Sequence, residues 1–119
     1  MIKEAYCSYE VAKLLKEKGF NERSAASYDS KGQLQEGYGY WNKTPIWYAA
    51  PTHQMTVAWL SKIHKIFIEV YLDKAPNFEY TVFSVVWDNG LNSVWRADGF
   101  TTCEQAVEAA LKYTLENLI

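Results

Sequence analysis

Little in this chain advertises chemistry. Two cysteines and two histidines among 119 residues are too few for a disulfide framework or a clustered zinc site, which need several such residues at close spacing. The sequence has no glycine-rich phosphate loop and no serine elbow, which removes the common nucleotide-binding and hydrolase signatures. Neither sign of charge dominates: 12 Lys and Arg against 14 Asp and Glu leave a net −2. A non-specific nucleic-acid binder needs an unbalanced basic field, so nucleic acid is a disfavoured partner. Met1 to Cys7 contains no apolar stretch of signal-peptide length, and no later run approaches the roughly 20 apolar residues of a membrane span. A cytoplasmic protein with no membrane partner is therefore expected, with Cys7 and Cys103 as free thiols.

Apolar residues at 49% and aromatic residues at 16% are what the chain does have, enough for one core in one domain over residues 1–119 without metal or disulfide staples. Three times a hydroxyl residue is followed two positions later by Glu or Gln: Ser8-Tyr9-Glu10, Thr52-His53-Gln54 and Thr102-Cys103-Glu104. Each precedes an apolar run at helical spacing, where the hydroxyl oxygen can accept from an orphan backbone amide. The first helix is predicted from Ser8 to Lys18, with Val11, Leu14 and Leu15 inward and Gly19 as its stop. The second runs from Thr52 to about His64, with Met55, Trp59, Leu60 and Ile63 inward. The third starts at Thr102 and turns Val107, Ala110, Leu111, Thr114 and Leu118 inward; Glu104, Glu108, Lys112 and Glu116 fall outward, with Glu108 and Lys112 as an ion pair.

Between the helices, a hairpin is predicted from Ala25–Asp29 and Gln33–Tyr38 around Asp29-Ser30-Lys31-Gly32. A strand with strict alternation follows over Ile66–Asp73, and then a hairpin over Phe78–Trp87 that turns at Asp88-Asn89-Gly90. A two-residue Asn89-Gly90 loop would set Ser84 opposite Trp95 and Val85 opposite Val94. The fold class expected is α+β, in the order α-β-β-α-β-β-β-α, with a mainly antiparallel sheet and helices packed on one face.

This register divides the main sheet. Ile66, Ile68, Val70, Leu72, Tyr80, Val82, Val86, Trp95 and Ala97 form the side that the helices cover. Phe67, Tyr71, Phe83, Val85, Trp87 and Val94 lie on the other side, among Glu69, Thr81 and Arg96, which is too apolar to face water without a reason. Three covers are open: the aromatic segment Tyr38–Tyr48 or the first hairpin; a protein partner or second copy; or a small ligand or exposed bases stacked on the rings. The candidate binding residues are Tyr40, Trp41, Trp47, Tyr48, Phe67, Tyr71, Phe83 and Trp87.

Catalytic constellations are scarce. His53 and His64 stand eleven residues apart on one helix, about 16 Å along its axis, too far to share a metal. His53 reads as a first-turn polar residue and His64 as a cation at a helix C-terminus. Cys7 and Cys103 adjoin helix starts, where a dipole favours the thiolate, but no basic residue stands beside either. Asp29, Asp73, Asp88 and Asp98 fall at turns and strand ends, where Asp serves the backbone. No catalytic residue, metal or cofactor is assigned, and the balance is against an enzyme.

Two resemblances follow. From Thr52 to Leu118 the element order is similar to that of a double-stranded-RNA-binding domain, which would require a basic cluster at the start of the last helix. Cys103-Glu104-Gln105 stands there instead, so RNA binding is not expected. Across nearly the whole chain, Tyr6–Phe20, Ala50-Pro51-Thr52-His53-Gln54-Met55 with Trp59-Leu60, and Ala106–Tyr113 resemble a family of small uncharacterised proteins carried by gut bacteria and their prophages or mobile elements. That resemblance implies an intracellular accessory protein of mobile DNA and no site residues. The expected function is non-enzymatic contact with another protein or a second copy through the aromatic surface. The alternatives are a small-molecule binder or enzyme with a pocket between Trp41, Trp47, Tyr48 and the sheet, or a single-stranded nucleic-acid binder.

Overall fold

The computed structural model describes residues 5–86 and 90–119, without the side chains of Val86 and Leu91. Trp87 and the Asp88-Asn89 turn, named above, lie outside the described residues. Three helices, α1 (Tyr9–Glu17), α2 (His53–Trp59) and α3 (Cys103–Asn117), alternate with strands β1 (Ser24–Tyr28), β2 (Leu34–Gly39), β3 (Tyr48–Ala49), β4 (Ile66–Lys74), β5 (Asn77–Val86) and β6 (Gly90–Phe100). All three hydroxyl caps form: Ser8, Thr52 and Thr102 accept from the amides of Val11, Met55 and Gln105, each worth about 1 kcal/mol. At the end of α1, Gly19 takes φ +90, and the amides of Gly19 and Phe20 return to the carbonyls of Lys16 and Leu15. This crossed pair of bonds satisfies two orphan carbonyls and folds the Phe20 ring into the core.

The expected α+β order is present with one addition. The two-residue β3 joins the first hairpin, so the strands form two antiparallel sheets, ordered β2-β1-β3 and β4-β5-β6. The α3 helix packs directly on one face of the second sheet, α1 and α2 pack behind α3, and the first sheet meets α1 through β3. Consequently the core has two parts. Val11, Leu15, Phe20, Trp59, Leu60, Leu111 and Leu115 fill the space among the helices, while Ile66, Tyr80, Val82 and Ala110 fill the space between α3 and the sheet. Each large apolar side chain buried here contributes about 1.5–3 kcal/mol.

Four local expectations need correction. The second helix is α-helical only to Trp59; a π turn follows over Leu60–His64 and ends at Lys65, whose φ is +57. Its wider winding rotates the residues after Trp59 out of phase and turns Ile63 outward; Thr56, Trp59 and Leu60 are buried, and Met55, in the first turn of α2, faces outward. Leu72 is exposed because the apolar patch against α3 reaches Val70 and stops. In α3 the inward stripe includes Ala106 and Leu115, since this helix is wedged between a sheet and α1; Glu108, expected outward and paired with Lys112, faces the start of α1, and Lys112 pairs instead with Glu10 of α1 at 2.8 Å.

The fourth correction is the hairpin register. Ser84 pairs with Asn92 and Val85 with Leu91, rather than with Trp95 and Val94. That three-residue offset would exchange the faces of the sheet. A bulge restores them: Val82 pairs with Trp95 but Phe83 with Ser93, which leaves Val94 as the extra residue. From there onward Trp95 and Ala97 share the side of Val82 and Tyr80, as expected, but Trp95, stacked on Tyr113 of α3, stays 44% exposed.

Candidate functional site

On the second sheet, the side away from α3 is organised in rows. Phe67, Phe83 and Ser93 form one row across the three strands, and Glu69, Thr81 and Arg96 form the next. In the third, Tyr71 faces Glu79. The two phenylalanines stand opposite each other on adjacent strands and are half-buried, while Val85 and Val94 are 48% and 38% exposed. Glu79 is covered from within the sheet: Tyr71 donates its hydroxyl to Glu79 Oε2 at 2.6 Å and Arg96 Nη2 donates to the same oxygen at 3.1 Å. These two bonds hold the Glu79 carboxyl below its ordinary value, and the same pairing holds the Arg96 guanidinium above its own. Among the described residues, the helices pack on the opposite face and the first sheet packs on α1.

Of the three covers left open, the aromatic segment therefore does not fill that place. Trp41, in a 3-10 turn over Trp41–Lys43, packs against Trp47 at 5.7 Å between centroids and donates its indole N–H to Gly37 O. Its ring lies so close over Gly39 that a Cβ there would sit 3.0 Å away. Tyr48 meets the Tyr9 ring edge-on at 5.6 Å. Lys16 from α1 ties this segment down, donating to the carbonyls of Thr44 and Trp47 at 2.6 and 2.8 Å while lying over the Tyr48 ring. Tyr38 is exposed, and Tyr40 turns away, half exposed, to line a cleft of about 370 Å³ with Met55, Trp59 and Ile63. Of the sequence-derived candidates, Phe67, Tyr71 and Phe83 come together on the open sheet face. Trp41, Trp47 and Tyr48 are taken up by internal packing.

A second cluster went unread in the sequence. The starts of α1 and α2 meet the second turn of α3, and there Glu108 Oε1 accepts from the Ser8 amide at 2.7 Å and lies 2.8 Å from His53 Nε2. Burial raises the Glu108 carboxyl, but the bonds from His53 and Ser8 outweigh it and hold the group below its ordinary value. His53 and Glu108 border a cleft of about 540 Å³ whose walls include Tyr6, Phe100 and Glu104. The arrangement is a junction: one carboxylate joins α1, α2 and α3. Periodicity could not find it, because Glu108 occupies the outward phase of its own helix, and only the arrival of α1 and α2 gives it partners.

The thiols divide by environment. Cys7 is buried, and burial, with Glu108 nearby, pushes its thiol up, away from the reactive thiolate. Cys103 is exposed. His64, the last residue of the π turn, presents its ring edge-on to Trp59 at 4.8 Å, with Nε2 buried and unbonded among the described residues. Among the described residues there is no group of three His, Cys, Asp or Glu placed to hold a metal, and no helix long and apolar enough to cross a membrane. No family model, curated protein or solved structure matches this chain.

Proposed function

We propose that this chain is a non-enzymatic contact protein that binds another polypeptide through the open face of β4-β5-β6. The observation carrying this reading is the Phe67–Phe83 cross-strand pair, flanked by exposed Val85 and Val94, on a sheet side that the described helices leave bare. Aromatic residues rimmed by polar groups, here Glu69, Ser93 and Arg96, are interface composition. The free thiols at Cys7 and Cys103 support a reducing, intracellular setting, and the resemblance to proteins of prophages and mobile elements suggests an accessory role there.

A small-molecule site between Trp41, Trp47 and Tyr48 is less well supported, because Lys16 and the backbone of β2 occupy those rings. The test is a photo-crosslinking side chain placed at Val85, with the same side chain at Ser30 in the β1–β2 turn as control. Polypeptide adducts are expected from position 85 and not from position 30. Equal yields, or none from position 85 when the cells are irradiated, would overturn the reading.

A further inference from the structure

We propose that the polypeptide seated on this face is a second copy of the chain, packed sheet on sheet about a two-fold axis that runs along β5. The inference rests on the reading of the open face just given, and it adds the partner and the geometry. Its basis is the row Glu69–Thr81–Arg96. One edge strand carries an acid, the other a base at the same level, and the central strand carries a short side chain between them. Glu69 is exposed, and the Arg96 side chain is 67% exposed. The contacts of Arg96 with Glu79 and Tyr71 use Nη2, and a guanidinium has further donors on Nε and Nη1.

Two copies facing each other can be related by an in-plane axis along the strands or across them. An axis across the strands at this row sets each edge strand over its own mate, so Glu69 meets Glu69 and Arg96 meets Arg96. An axis along β5 keeps the level and exchanges the edges. Glu69 of each copy then lies over Arg96 of the other, giving two ion pairs astride the axis, and Phe83 lies over Phe83 in the neighbouring row. Packed sheets stand about 10 Å apart, a gap that an extended Glu and an extended Arg close from opposite sides, while Thr81, short and buried between its neighbours, does not hold the sheets apart. The charges fix orientation more than they add affinity, since pairing them costs desolvation.

Three strands of this length present roughly 500 Å² per copy, at the small end of specific interfaces. Association on the order of 10 μM is therefore expected. The experiment is sedimentation velocity on the full chain over concentrations from about 1 to 500 μM, for the native protein, Glu69→Arg, Arg96→Glu and the double variant, each checked for native circular dichroism. The native chain is expected to dimerise, each single variant to weaken the dimer by about tenfold or more, and the double variant to recover most of the loss. Because Arg96→Glu also removes the bond to Glu79, Phe83→Lys provides a second disruption that leaves the Glu79 network alone. A native chain that stays monomeric throughout overturns the inference, as does a double variant no better than the worse single. A monomer that still gives Val85 adducts with a different polypeptide would sink the second copy and leave the contact reading standing. A monomer with no adducts would remove both.

Discussion

The two sheets of this protein have three strands each and both carry aromatic residues, yet they use them in opposite ways. In the first sheet Tyr28 and Tyr48 are turned to the helices and engaged there: the Tyr28 hydroxyl donates to Cys7 O at 2.6 Å, burial pushes that phenol up to about 12, and Tyr48 sits under Lys16, while Tyr38 on β2 stays exposed with Arg23 over its ring. In the second sheet one side belongs to α3, and on the other side Phe67 and Phe83 stand opposite each other on adjacent strands and stay only half-buried. Aromatic content therefore did not mark the surface. What separates the two regions is whether a lysine, a carbonyl or a helix comes to meet the ring.

Breaking the closed region should cost most. Phe20→Ala, which empties a fully buried site among the helices and Trp59, is expected to lose about 3–5 kcal/mol in urea denaturation, against about 1 kcal/mol or less for Phe83→Ala on the open face. Similar losses at the two positions would erase the distinction between the sheets. Next in size is Glu108→Ala. It strips the acceptor from the Ser8 amide and the His53 ring, with an expected loss of about 1.5–3 kcal/mol, and Glu108→Gln should recover part of it.

The pH dependence of that junction follows from the depressed carboxyl. Glu108 binds its proton more weakly folded than unfolded, so its contribution is complete above the ordinary carboxylate range and is lost as pH falls through the folded value. The native chain should therefore lose stability on acidification with a steeper slope than Glu108→Gln, and parallel melting-temperature profiles would contradict this. The smallest expected effect is that of Lys16→Met, which removes two bonds to the carbonyls of Thr44 and Trp47. About 1 kcal/mol or less is expected, with faster amide exchange confined to the Trp41–Tyr48 segment as the more telling readout.

Much of this architecture was legible because it rests on local chemistry. Three hydroxyl caps and Gly19 mark helix boundaries by satisfying backbone groups that any helix end exposes, and the alternation from Ile66 onward assigns its two faces by pleat geometry alone. The parts that were not legible depend on arrivals from elsewhere in the chain. The two-residue β3 has no periodicity to read and exists because β1 offers it an edge. The π turn shifts Ile63 outward without any breaker residue to announce it. The β5–β6 register was misread by three residues, and the face assignment survived because the bulge at Val94 compensates. For the candidate surface, Phe67, Tyr71 and Phe83 were found by alternation, whereas the pairing of Glu69 with Arg96 across Thr81 needed the observed register.

The placement of the two thiols has a practical consequence. Cys103 stands in solvent at the start of α3, while Cys7 lies sealed beside the junction that Glu108 holds together. A thiol reagent will thus modify Cys103 at the rate of an open cysteine and Cys7 only in molecules whose three helices have come apart. The ratio of the two labelling rates is a gauge carried by the native chain itself, reading how often the helical half opens with no probe to be introduced.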